Sequence, residues 1–215
     1  MNRKFAKRLL RTFILSAAAL VIGMVLAYNQ IKSQVNEETN DNGRTHSLVS
    51  SVKLGGDFTL VDHNGRRVTQ DIFNDHYVLL YFGFTYCPAI CPTELQKISA
   101  VLKRFEETDP ELLEKILPVF ITIDPERDTP AVLKEYLSLF NPRILGLSGT
   151  ESQIKHVKNL YRIYAKKVQT DEMTEYTMDH SSYIYLFDKK GKILSMFRMK
   201  DDKEAIYKEI DSHIR

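Results

Sequence analysis

Two cysteines in 215 residues are too few for a disulfide scaffold, and they stand only four positions apart, at Cys87 and Cys91. A bridge between them would close a very small loop, so the pair is read as chemistry rather than reinforcement. Net charge is also scarce: 30 Lys and Arg stand against 28 Asp and Glu, a balance of +2. That removes the electrostatic reason to expect a nucleic-acid partner. The basic excess is local, with Arg3, Lys4, Lys7, Arg8 and Arg11 in residues 3–11 and no acid among them. There is no internal repeat. The length suits one soluble domain plus a targeting segment and is too short for two ordinary domains and an anchor.

Residues 12–31 are 20 positions without a formal charge. A helix of that length spans about 30 Å, the thickness of a bilayer's hydrocarbon core. The run is apolar all round, unlike the striped face of a soluble helix. The positive-inside rule keeps the basic cluster on the cytoplasmic or matrix side and sends the rest of the chain across. Residues 1–31 are therefore expected to be a basic N-terminus and transmembrane anchor. A cleaved signal peptide is the competing reading, with Val25 and Ala27 as small residues before Tyr28. Residues 32–53 are polar and without period, as expected of a flexible linker, and residues 54–215 form the candidate folded domain.

Within that domain, residues 57–62 and 66–69 read as a short hairpin turned by Asn64-Gly65. Residues 77–84 (YVLLYFGF) have the continuous apolar pattern of a strand buried on both faces. Helical spacing follows in Leu95, Ile98, Val101, Leu102 and Phe105, then a second buried strand at 118–122. Helices are expected over 129–140, 151–164 and 203–214, with strands over 144–147, 182–187 and 193–198. The order predicts an α/β, thioredoxin-like fold: a βαβ unit, a helix-containing crossover, then a hairpin and helix.

The segment CPAICP (87–92) leaves the carboxyl end of the first buried strand, where open α/β sheets place their sites. Pro92 disfavours helical backbone at Cys91, which makes Cys91 the expected N-cap, Pro92 the first helical residue and Glu94 the partner in a capping box. In that position the helix dipole would favour thiolate at Cys91. Three residues separate the sulfurs, one more than in a C-x-x-C redox motif. The spacing is compatible with redox work or with metal binding.

Two thiolates leave a metal under-coordinated, and six histidines are available. His63 falls in a hairpin turn, His76 at the amino end of a strand, His156 and His213 on helices, and His46 in the linker. His180 precedes the strand expected at 182–187, on a loop that passes beside the cysteine loop in a thioredoxin-like sheet. It is either a ligand or a solvated loop histidine. Met178 is a candidate weak thioether ligand, against the alternative of simple packing. Two thiolates with an imidazole suit copper in either oxidation state, whereas a structural zinc site is normally closed by four protein ligands.

Three blocks now bear together: YFGFTYCPAICPTEL (81–95), FITIDPERDTP (120–130) and DHSSYIYLFDKKGKI (179–193). In this order the chain resembles the SCO/SenC copper-chaperone family over residues 50–213. The resemblance implies that Cys87, Cys91 and His180 bind one copper ion. It further implies a role in maturing the binuclear copper centre of cytochrome c oxidase. The implied partners are the copper-centre subunit of the oxidase, a copper donor protein, a thiol reductant and the membrane through the N-terminal helix. The implied location is a single-pass inner membrane with the domain on the periplasmic side, or the intermembrane-space side in a mitochondrion. Ala89 stands where an acidic or polar residue is common in the family. The loop 124–128 is expected to line the site or contact the partner, or else to be a solvated turn capping the next helix through Asp128 or Thr129.

Two other functions use the same residues. A thiol-disulfide oxidoreductase would employ Cys87 and Cys91 as a redox pair and reduce the cysteines of the same copper centre. A peroxidase would attack peroxide with Cys87, but the chain has no further peroxide-binding constellation.

Overall fold

The computed structural model describes residues 23–27, 54–170 and 174–214. Most of the expected membrane span and the whole linker lie outside these residues. Residues 23–27 are helical and exposed. Among the described residues no helix is long and apolar enough to cross a membrane.

Two parallel strands form the centre of the folded domain. Strand β3 (Tyr77–Gly83) and strand β4 (Ile116–Thr122) run side by side from Tyr77 opposite Ile116 to Gly83 opposite Thr122. Both are almost wholly buried, which explains their unbroken apolar sequences. The strands β1 (Thr59–Asp62), β2 (Arg67–Thr69), β5 (Leu145–Ser148), β8 (Ile184–Phe187) and β9 (Ile193–Phe197) complete a seven-stranded sheet of order β2-β1-β5-β4-β3-β8-β9. The β1–β2 turn is the expected one: Gly65 has φ 82°, and Asp62 Oδ1 accepts the N–H groups of Asn64 and Arg66 at 2.9 Å.

Helix α1 (Ile90–Thr108) buries Leu95, Ile98, Val101, Leu102 and Phe105, the stripe its 3.6-residue period predicts. A single turn, α2 (Pro110–Leu113), follows it. Helix α3 (Pro130–Leu137) opens on Thr129, whose hydroxyl accepts the Val132 N–H, with Pro130 at its first position. Helix α4 (Glu151–Leu160) carries a full capping box between Thr150 and Gln153. It ends four residues before the expected limit, because Arg162 adopts φ 54° and Tyr161 turns its ring onto Phe82 and Phe187. Helix α5 (Lys203–Ile214) closes the chain and packs against α1.

The strand expected over 182–187 begins later, at Ile184. His180 belongs to a different element. Strands β6 (Ala165–Val168) and β7 (Thr177–His180) pair antiparallel as a separate two-stranded ribbon, with His180 opposite Ala165. The arrangement is the thioredoxin-like fold, with this ribbon added beside the carboxyl end of β3.

Candidate metal centre

Strand β3 ends at Gly83, and the chain turns through Phe84, Thr85 and Tyr86 into Cys87. Helix α1 begins at Ile90, two residues earlier than expected, with Ala89 at its N-cap and no side-chain cap. The Thr93 N–H and hydroxyl both donate to the Ala89 carbonyl, at 3.3 Å and 2.9 Å. Pro92 is thus the third helical residue. Its missing N–H costs nothing there, because the first turn's N–H groups have no partner within the helix. The capping box is absent as well: Glu94 is buried and pairs with Lys97 at 2.8 Å.

This shift exchanges the roles expected of the two sulfurs. Cys91 lies inside the first turn, fully buried, with its sulfur against the core. Cys87 lies before the helix and accepts the Cys91 backbone N–H on its Sγ at 3.3 Å. Hydrogen bonding from the Cys91 thiol, followed by contributions from His180 and the backbone N–H groups of Cys91 and Ala89, outweighs burial and lowers the Cys87 pKa to about 4. The same interaction, reinforced by burial, pushes the Cys91 thiol upward. Helix-end stabilisation therefore acts on Cys87 rather than on Cys91.

Close packing fixes Cys91. A methyl group on Gly83 would stand 2.9 Å from Cys91 Sγ, 2.9 Å from Phe120 Cε2 and 3.1 Å from Tyr81 Cε1. Glycine leaves the room this sulfur occupies. The Tyr81 hydroxyl forms a hydrogen bond with Ser182 Oγ at 3.0 Å. Burial, followed by the neighbouring Cys91, raises the Tyr81 phenol pKa.

His180 completes the cluster. Its Nε2 is 3.7 Å from Cys91 Sγ, and one ligand atom from each of Cys87, Cys91 and His180 lies within 4.8 Å of the others. Its Nδ1 is 2.8 Å from the Ser181 carbonyl oxygen, which can only accept; in the neutral ring this contact favours the proton on Nδ1, and it turns Nε2 toward the sulfurs. Phe84 meets the ring edge-to-face, centroids 5.7 Å apart. The spacing suits one ion. Bonds of about 2.3 Å to sulfur and about 2.0 Å to nitrogen, at trigonal angles, put S and N about 3.7 Å apart. Among the described residues no fourth His, Cys, Asp or Glu joins the group.

The other candidates are engaged elsewhere. His63 Nδ1 accepts the Gly146 N–H at 2.9 Å, and His76 Nδ1 contacts the Asn74 carbonyl. His156 contacts the Asp57 carbonyl, and His213 contacts Glu209. His46 lies outside the described residues. Met178 is buried in the core and lines a cavity with Ile123, Asp124 and Lys158, consistent with the packing reading.

The loop 124–128 is not a solvated turn. Asp124 and Asp128 are both buried. Thr129 is the helix cap, while Asp128 accepts from the Thr85 N–H at 3.0 Å, the Thr85 hydroxyl at 2.6 Å and the Thr122 hydroxyl at 2.6 Å. It therefore supports the start of the cysteine loop. Gly83, Tyr81 and Phe84 carry no metal-ligand signature, and sequence reasoning missed their part in the site; Asp128 is expected from the sequence only within a loop lining the site or as a helix cap.

Fold and cluster define a class: a thioredoxin-like domain bearing two unequal thiols and an imidazole at the carboxyl edge of its sheet. Residues 47–215 match the SCO1/SenC family, and the chain belongs to it. The SCO2-like protein of Rickettsia felis is 40% identical over 198 residues, which cover 90% of this chain and 92% of that protein. Protein sco1 of Schizosaccharomyces pombe is 37% identical over 202 residues, 93% of this chain and 75% of that one. Among solved structures, Bradyrhizobium japonicum ScoI with copper bound aligns at a TM-score of 0.67 and 43% identity, covering 74% of this chain and 98% of its own. Yeast Sco1 with copper bound aligns at 0.68 and 37%, covering 76% and 89%.

Proposed function

We propose that this chain is a metallochaperone that carries one copper ion on Cys87 Sγ, Cys91 Sγ and His180 Nε2 for assembly of the binuclear copper centre of cytochrome c oxidase. The observation that carries this reading is the convergence of the three donor atoms within 4.8 Å, with His180 Nδ1 against the Ser181 carbonyl and Nε2 facing the sulfurs. Soft sulfur stabilises Cu(I) and imidazole keeps Cu(II) accessible, a donor set suited to an ion that must be accepted and released. The solved relatives described with copper bound support the choice of metal. The partners of this reading are a copper donor protein and the copper-centre subunit of the oxidase.

The test is a titration of the reduced protein against a competing Cu(I) chelator. One ion per chain is expected, with at least a tenfold loss of affinity in His180→Ala; unchanged affinity in that variant removes the histidine from the site.

A second reading is thiol-disulfide reduction of the same centre, favoured by the asymmetry between the ionised, slightly exposed Cys87 and the buried Cys91 thiol. Cys87 thiolate would attack one sulfur of the target disulfide and release the other as thiolate. Cys91 would then attack Cys87 Sγ in the mixed disulfide and release the target's remaining sulfur as thiolate, leaving a Cys87–Cys91 disulfide in this chain and the target reduced. A thiol reductant must restore the pair. Incubation of the reduced, copper-free protein with an oxidised target domain separates the readings: target thiols appear only if the reductase reading holds.

The chain is assigned a single-pass anchor in residues 12–31, with the domain on the periplasmic side of an inner membrane, or facing the intermembrane space in a mitochondrion. The reading rests on the uncharged run and on the basic residues before it. Carbonate extraction tests it: an anchored chain stays with the membrane, and release into the supernatant contradicts it.

A further inference from the structure

We propose that Arg127 is a positioning residue that holds the His180 strand against the cysteine loop. The proposal rests on the reading of His180 as a ligand. The cysteine loop grows out of the main sheet, whereas His180 ends β7, in a ribbon that shares no ladder with that sheet. Backbone pairing therefore does not set the distance between the imidazole and the sulfurs. A short link joins His180 to Ile184, which pairs with Tyr81 of β3, and the Tyr81–Ser182 hydrogen bond ties that link down; other side chains supply the remaining constraint.

Arg127 reaches both sides. Its Nη1 donates to the Tyr176 carbonyl at 2.9 Å, one residue before β7, and its guanidinium lies 3.7 Å from the Tyr176 ring centroid. On its other side the same group lies 4.4 Å from the ring of Tyr86, which directly precedes Cys87. Its Nε donates to the buried Asp124 at 2.6 Å, and Asp124 also accepts from the Tyr176 hydroxyl at 2.8 Å. The side chain is only 14% exposed, so the contacts are poorly screened. A planar fork can donate in two directions while stacking on two rings; an ammonium cannot. Arg127 thus couples the segment carrying the imidazole to the segment carrying the more exposed sulfur.

Arg127→Lys retains the charge beside Asp124 and removes the fork and the stacking. Without metal, the reduced full-length variant is expected to exchange backbone amides at 176–181 at least tenfold faster than the parent, with β3 and β4 unchanged. With metal, Cu(I) affinity against a competing chelator is expected to fall at least tenfold, in the range seen when groups behind a metal ligand are altered. A double-mutant cycle distinguishes positioning from general damage: in a His180→Ala background, Arg127→Lys should change affinity less than twofold. Unchanged exchange at 176–181 overturns the proposal, as does an equal affinity loss with and without His180. If His180→Ala itself leaves affinity unaltered, the ligand reading fails, and the exchange measurement alone decides whether Arg127 holds the strand.

Discussion

His180 Nδ1 lies 2.8 Å from the carbonyl oxygen of Ser181, the next residue in the chain. A carbonyl accepts and cannot donate, so this contact selects the Nδ1–H tautomer and presents Nε2 to the sulfurs. Nitrogen-15 NMR of the reduced, metal-free protein should show a protonated Nδ1 and an unprotonated Nε2 in the neutral ring. On adding Cu(I), the Nε2 resonance should move much more than that of Nδ1. The opposite tautomer would place the proton where the metal is expected.

The two thiols should differ sharply in reactivity. With the Cys87 pKa lowered to about 4, its alkylation by iodoacetamide should persist from neutral pH down to about pH 4 to 5, while Cys91 stays unmodified. The sign for stability follows from linkage. A group whose folded pKa is depressed contributes stability that is fully present above its unfolded value, near 9, and is lost as pH falls through about 4. Denaturant titrations of the reduced apoprotein should therefore show this contribution growing from pH 4 to 9, and Cys87→Ser should remove it. A single alkylation profile shared by both cysteines would contradict the assignment.

Oxidation should act as a switch. A disulfide between Cys87 and Cys91 consumes both thiolates, so the oxidised chain should take up no copper, and a dithiol reductant should restore one ion per chain. Mass spectrometry under native conditions reads both states.

Gly83→Ala should damage the site from behind. The added methyl falls 2.9 Å from both Cys91 Sγ and Phe120 Cε2, inside a packed core. Overpacking of this kind costs about 1–3 kcal/mol. Chemical denaturation should show that loss, with a weakened copper affinity because the added methyl displaces the Cys91 sulfur.

Asp128→Ala should loosen the cysteine loop without touching a ligand. The substitution strips an acceptor from the Thr85 N–H and from the buried Thr122 hydroxyl. Each orphaned buried donor costs about 1–3 kcal/mol. Asp128→Asn retains one acceptor oxygen and should lose less. Denaturation midpoints of the two variants give the comparison.

Much of this arrangement was legible in the residues, and the exceptions share physical causes. Strand β3 announced itself because burial on both faces requires an unbroken apolar run, and Asn64-Gly65 announced its turn through the positive φ it needs. The β6–β7 ribbon did not. Its sequences AKKV and TMDH are short and largely polar, with no apolar alternation, and each depends on the other for its hydrogen bonds. His180 was therefore expected beside the cysteines, but on the wrong element. The start of α1 was misplaced because Pro92 suits either the first or the third helical position, and only the Ala89 carbonyl, accepting from Thr93, distinguishes them. Asp128 looked like a solvated cap because a charge is rarely buried; its partner Thr85 lies 43 residues earlier, a distance that local patterning does not span.

The most direct test of the copper site is X-ray absorption of the reduced protein loaded with one equivalent of Cu(I). Two sulfur scatterers and one imidazole nitrogen are expected, with the nitrogen shell and its outer-ring scattering absent in His180→Ala. A sulfur-only shell in the parent protein, identical to that of the variant, would contradict the account.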